Sequence, residues 1–189
     1  WNREQLVSHP LDDKAAFAVL NEERYAGIFQ FEGYALQSVT RQMKVHEFED
    51  VAAITALARP GPLNSGGTTE YIKRHTGAAP VEYLHPLTEA ITKVTNGVVV
   101  YQEQVMMIGR DVGGLSWEDV SSLRKAMSRS LGTEFFDKYF EKFKAGAKKN
   151  GIDKDSARYI WDHINTMGSW AFNRSHAVAY GLVSYWCCV

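Results

Sequence analysis

The chain has 189 residues, 45% of them hydrophobic and 12% aromatic, which is enough to bury a real core in one domain or in a piece of a larger protein. No apolar run approaches the roughly 18 residues of a membrane span, no low-complexity tract occurs and no signal-peptide pattern opens the chain; the two cysteines, adjacent and without metal-ligand spacing, lead us to expect a reducing cytoplasm. The net charge of −1 hides an asymmetry: residues 1–58 carry five Lys/Arg against nine Asp/Glu, whereas residues 120–149 carry eight against three, a basic block that suits a polyanionic partner or a solvated helix face.

In chain order the pattern is mostly helical. Asp12 or Asp13 caps a helix through "DKAAFAVLNEE". "GIFQFEG", 27–33, alternates apolar and polar residues between glycines and predicts a short strand or extended link. "YALQSVTRQMKV" returns to helical spacing. "FEDVAAITALA", 48–58, predicts a buried helix halted by "RPGPLNSGG", whose two prolines and three glycines predict a loop of fixed shape. A short helix over 68–76 and a proline-punctuated link follow, then "LTEAITKVT". "NGVVVYQEQVMMIGRDVGG" predicts a turn, three β-branched valines and a helix ending at Gly113–Gly114. Ser116, with Asp119 three residues on, opens "SWEDVSSLRKAMSR" in the manner of a capping box. Further helices are expected over about 133–149, 154–167 and 175–189. The fold class is mainly α with a minor β element. The start at "WNREQ" without Met and the stop at "SYWCCV" inside an apolar helical pattern lead us to expect an excerpt of a larger protein.

Three stretches carry candidate chemistry. On a helix over 172–186, Asn173, His176, Ala177, Tyr180 and Ser184 share one face, and Val178, Leu182, Tyr185 and Val189 share another that suits the core. Ala177, Ala179 and Gly181 are small, so a bulky group could approach the backbone closely. Asn173, Arg174 and Ser175 stand at the helix start, where unbonded N–H groups favour an anion; a capped helix with a satisfied histidine is the competing account. In "SSLRKAMSRS", 121–130, Arg124 with Ser128 and Lys125 with Arg129 form two ridges able to meet phosphate oxygens, or simply a surface helix. In "ARPGPL", Arg59 leaves its helix in a direction set by Pro60 and Pro62. Tyr101 and Gln102 lie at a strand-to-helix switch, where polar groups often face a cleft, and Met106 and Met107 suit core filling.

Other chemistries are argued down. Asp153 and Asp155 follow Asn150–Gly151 and open a helix, so capping accounts for them. His46, His75 and His85 lack ligand spacing, as do the adjacent Cys187 and Cys188, which would bridge each other only with strain. Nucleophile-elbow, P-loop and dinucleotide-binding motifs are absent. Ser175 and His176 point about 100° apart on a helix, a poor nucleophile–base couple.

"GIFQFEG", "ALARPGPLNSG", "NGVVVYQEQVM", "LRKAM" and "FNRSHAVAYGLVSY", in this order, resemble the C-family DNA polymerases, the bacterial replicative DNA polymerase III α subunits. The likeness runs from "PLDDKAAFAVL" onward. It implies that 1–189 is a partial fingers domain of a multidomain DNA-directed DNA polymerase, with 1–20 on the approach from the palm. The fingers would close over the incoming deoxynucleoside triphosphate (dNTP). Arg124 and Lys125 match the family's triphosphate contact, where two arginines are more usual, and Arg129 matches a further basic position. Asn173, Arg174, Ser175 and His176 match the family's "FNKSH", with Arg174 replacing Lys, and would line the nucleotide pocket; Arg59 is a weaker candidate. Lys138, Lys142, Lys148 and Lys149 of the basic block would face template-primer DNA. The resemblance places the two catalytic Mg²⁺ ions on palm aspartates outside this chain, which itself would carry no catalytic or metal-ligating residue. Implied partners are the remaining polymerase domains, the sliding clamp and other replisome subunits, reached through regions outside this chain. The alternatives are a non-catalytic helical nucleic-acid-binding module with a steep salt dependence, and a partner-docking fragment with neither activity.

Overall fold

The computed structural model describes residues 2–129 and 133–189. Its α-helices are α1 (Arg3–Val7), α2 (Lys14–Asn21), α3 (Tyr34–Met43), α4 (Phe48–Leu57), α5 (Pro60–Ser65), α6 (Gly67–His75), α7 (Glu89–Thr92), α8 (Gln102–Met107), α9 (Trp117–Ser128), α10 (Thr133–Asp137), α11 (Phe140–Lys149), α12 (Lys154–Gly168) and α13 (Arg174–Cys188). Two compact units emerge. The first runs through Ile72 and takes in Arg174–Val189; the second is Lys73–Asn173.

Short polar side chains start these helices by satisfying orphan N–H groups. Asp13 accepts from the Ala15 N–H at 2.8 Å, and Asp153 accepts from the Asp155 and Ser156 N–H groups at 2.9 Å each. Ser116 and Asp119 form the expected reciprocal box at 3.1 and 3.4 Å. At α4, Asp50 accepts from the His46 and Glu47 N–H groups at 2.8 and 3.2 Å.

Three expected elements come out differently. Among the described residues there is no strand: 27–33 is a run of turns with Gln30 at φ 66°, and the β element shrinks to one parallel bridge between Tyr101 and Phe172. The "RPGPLNSGG" stretch is helical rather than a loop. Arg59 is the extended N-cap of α5, Pro60 stands in its first turn, and left-handed Gly66 (φ 83°) ends it. Prolines fit there because first-turn N–H groups have no helical partner to lose. The helix expected over 133–149 breaks into α10 and α11 around Lys138–Tyr139.

In the first unit α4 is buried on all sides from Asp50 to Leu57, and α13 packs against it. The face of α13 turned inward is Ala177, Gly181, Ser184 and Tyr185; Val178 and Leu182, expected in the core, are only half-buried. The reason is close approach. A Cβ on Gly181 would stand 3.4 Å from the Ala52 Cα and N, so only small side chains fit along this seam. Tyr185 closes the unit: its hydroxyl donates to the Pro10 carbonyl at 2.6 Å and accepts from the Asp13 N–H at 3.1 Å.

The second unit packs α8, α9, α11 and α12 around Phe143 and Trp161, whose ring centroids are 4.9 Å apart. Buried Gln104 organises the 91–104 segment. Its Oε1 accepts from the Val100 and Tyr101 N–H groups at 2.8 and 2.9 Å, and its Nε2 donates to Thr95 Oγ1 at 2.7 Å and the Ile91 carbonyl at 3.2 Å. The bridge then forms through Gln102 N–H to the Phe172 carbonyl at 2.8 Å and Phe172 N–H to the Val100 carbonyl at 3.0 Å. In the same unit Gly146 of α11 meets the backbone of Gly113–Gly114 so closely that a Cβ would overlap the Gly113 carbonyl.

Two substitutions probe these constraints. Gly146→Ala forces backbone apart and is expected to cost about 1–3 kcal/mol, seen as a lower urea midpoint at unchanged m-value. Gln104→Leu keeps the volume but strands two buried donors and two acceptors, and an expected loss of about 2–4 kcal/mol is read from the same titration.

Candidate functional site

Helix α9 buries Val120, Leu123, Ala126 and Met127, and this spacing turns Arg124, Lys125 and Ser128 to solvent. Arg129 is the C-cap, its N–H bonded to the Lys125 and Ala126 carbonyls at 3.1 and 3.2 Å, and its side chain is exposed as well. No ion pair engages Arg124, Lys125 or Arg129 among the described residues. Three cations therefore stand within the last two turns of one helix. Their positive charge also complements its C-terminal dipole. Buried Gln102 donates to Ser128 Oγ at 3.4 Å, linking the start of α8 to this turn. Ser130, the last residue of the "SSLRKAMSRS" stretch, lies outside the described residues.

The lysines expected on DNA are not equivalent. Lys142 bonds Asp119 Oδ1 at 2.9 Å, which raises the lysine's pKa and holds the Asp119 carboxyl below the usual carboxylate range. Lys138 stands 5.5 Å above the Phe135 ring. Lys148 and Lys149 are exposed at the end of α11, with no ion pair among the described residues. Lys144 pairs with Glu141, and with Lys148 and Lys154 it borders a groove of about 440 Å³ floored by Ala145 and Ile152.

At the other candidate stretch, Asn173 Nδ2 donates to Glu103 Oε1 at 3.0 Å. Arg174 opens α13, and its Nη2 lies 3.3 Å from both Glu49 carboxylate oxygens. Ser175 and His176 are exposed, and the His176 ring stacks on Tyr180 with centroids 4.0 Å apart. Asn173 belongs to the second unit, with Arg124, Lys125 and Arg129; Arg174, Ser175, His176 and Arg59 belong to the first. Arg59 is half-buried: its Nε–H donates to the Ala56 carbonyl at 2.9 Å, and burial lowers its pKa.

Two expectations at this site change. The small residues Ala177 and Gly181 face α4, so what approaches the backbone there is another helix. Tyr101 is wholly buried, because its backbone is tied into the bridge and the Gln104 bonds. Cys188 offers no nucleophile: it donates to the Ser184 carbonyl at 3.4 Å and burial pushes its thiol up to about 12. No group of three or more His, Cys, Asp or Glu is gathered to hold a metal ion among the described residues. Glu103 and Glu49 were not read from sequence as partners of Asn173 and Arg174, and Asp119, read there as a helix cap, also pairs with Lys142. Glu103 and Asn173 are 70 positions apart, and Glu49 and Arg174 are 125, so no local pattern joins them.

Known proteins match most of the chain. The family described as bacterial DNA polymerase III alpha subunit finger domain matches residues 2–151. The DNA polymerase III subunit alpha of Aquifex aeolicus is 40% identical over 94% of this chain and 15% of its own length. That of Mycobacterium leprae is 38% identical over 96% and 16%, and that of Chlamydia trachomatis 41% over 93% and 14%. The chain thus spans only about 15% of the length of these relatives. None of the helices is long and apolar enough to cross a membrane among the described residues. With its motifs, its helical architecture and the family match in agreement, the chain belongs to the bacterial DNA polymerase III alpha subunit finger domain family.

Proposed function

We propose that this chain is the fingers portion of a cytoplasmic, replicative DNA-directed DNA polymerase and handles the incoming dNTP during two-metal nucleotidyl transfer. Arg124, Lys125 and Arg129 neutralise triphosphate oxygens, and Asn173, Arg174, Ser175 and His176 orient the nucleotide. The observation that carries this reading is the row of three exposed cations on α9, none ion-paired among the described residues, within a segment that matches the finger-domain family. An arginine there meets phosphate without first breaking an internal bond, and its charge offsets what grows on the departing pyrophosphate. Lys125 brings a point charge where an arginine would bring a planar fork, so it steadies the phosphate without fixing its angle.

Template-primer DNA falls to the α11 surface, with Lys148 and Lys149 ahead of Lys142, whose charge Asp119 already balances. Arg59 ranks last among the nucleotide contacts because its Nε serves the end of α4. The Mg²⁺ ions belong to aspartates in the palm, beyond the residues of this chain, and supply the Lewis acidity for phosphoryl transfer. We extend the fingers assignment past residue 151 to the end of α13, with 1–20 leading in from the palm. The clamp and other replisome subunits engage other parts of the polymerase.

In the full-length polymerase, Arg124→Ala is expected to raise the KM for dNTP at least about tenfold while primer-template affinity holds, because a charge-assisted bond is worth about 1.5–3 kcal/mol. Single-nucleotide incorporation kinetics measure the first and filter binding or anisotropy the second; equal weakening of both would favour a plain nucleic-acid-binding module. The double variant Lys148→Ala, Lys149→Ala is expected to reduce the slope of log K against log salt for DNA by about 1.8, near 0.9 for each phosphate that is no longer neutralised. An unchanged slope would remove these lysines from the DNA surface.

A further inference from the structure

We infer that Glu103 is a positioning residue that sets the orientation of the Asn173 amide for the nucleotide, an inference that rests on the proposed role of Asn173. The bond between them, Asn173 Nδ2 to Glu103 Oε1 at 3.0 Å, joins residues 70 positions apart. Both of its ends stand on fixed backbone. On one side Glu103 lies between Gln102, whose N–H is bonded to the Phe172 carbonyl, and Gln104, whose amide makes four buried bonds. On the other, Asn173 directly follows Phe172, whose N–H is bonded to the Val100 carbonyl. The bridge of Tyr101 with Phe172 therefore fixes the backbone beside both the acceptor and the donor, which holds the two side chains within reach of each other.

The chemistry of the pair gives the bond its consequence. An asparagine amide has two ends of similar shape and opposite hydrogen-bonding character, and it turns over unless a neighbour tells them apart. A carboxylate oxygen accepts, so it selects the NH₂ end of Asn173 and thereby settles where the carbonyl oxygen points. The adjacent Gln102 donates to Ser128 on the turn that bears Arg124, Lys125 and Arg129, at 3.4 Å. One dipeptide thus reaches a residue of each candidate nucleotide-handling stretch, and Glu103 is the member whose bond is the closer, 3.0 against 3.4 Å, and ends on a carboxylate.

The test uses the full-length polymerase and single-nucleotide incorporation at saturating primer-template. Asn173→Ala is expected to raise the KM for dNTP about tenfold and Glu103→Ala about fivefold, with kcat within about twofold, as follows from losing one oriented hydrogen bond. Glu103→Gln, whose amide can turn either its oxygen or its NH₂ group toward Asn173, should recover only part of the loss. The double variant Glu103→Ala, Asn173→Ala should be no worse than Asn173→Ala alone, because Glu103 acts only through Asn173. Effects that multiply in the double variant, a Glu103→Gln that restores the KM in full, or an unchanged KM in Glu103→Ala beside a raised one in Asn173→Ala would each overturn the positioning role while leaving the nucleotide site in place. An unchanged KM in Asn173→Ala would overturn both.

Discussion

The geometry of the second unit hangs on one buried amide. Gln104 has two acceptor lone pairs and two N–H donors, and the surrounding backbone and Thr95 engage both its oxygen and its nitrogen. Its bonds hold the extended residues before α8 against the turn that follows α7. A buried network of this kind is costly when half made and rigid when complete. Here it is complete, and the extended backbone it immobilises is what Phe172 pairs with. The chain's return to this point, some 70 residues after Tyr101, is therefore anchored by two backbone hydrogen bonds, with no sheet among the described residues around them.

The first unit is organised by proximity rather than by polar bonds. An α-helix usually buries one stripe, but α4 buries every residue from Asp50 to Leu57. Ala52, Ala53 and Ala56 thin it enough for α13 to settle close, and Gly181 removes the last side chain in the way. The large anchors sit beyond this seam, with Tyr185 gripping both the Pro10 carbonyl and the Asp13 N–H. Small residues near a polar cluster invite a ligand-binding reading, yet close helix packing needs the same residue types. Which of the two applies depends on what lies across from them.

Electrostatics separate cations that composition treats alike. Lys142, Lys144 and Arg158 have carboxylate partners within their own unit, whereas Arg124, Lys125, Arg129, Lys148 and Lys149 have none among the described residues. Surface pairs contribute little to stability, but a cation already beside a carboxylate has less field to offer an incoming phosphate. The +5 balance of residues 120–149 is accordingly concentrated at two places, the end of α9 and the end of α11.

Much of this was legible along the chain because it depends on near neighbours. Helix starts at Asp13, Ser116 and Asp153 follow from capping within three residues, the exposed row on α9 follows from a 3.6-residue period, and motif order alone pointed to the polymerase family that the comparisons bear out. What the sequence could not reveal lies between distant positions. The valines at 98–100 read as strand, but a strand needs partners, and Phe172 supplies only one bridge. Prolines at 60 and 62 read as loop, although the first turn of a helix tolerates both. The inward face of α13 was chosen by the closeness of α4, and the carboxylates holding Asn173 and Arg174 come from 70 and 125 residues away. Local periodicity determined where helices form; tertiary packing alone decided which face is buried and which charge is already paired, because those energies depend on through-space distances that no sequence spacing encodes.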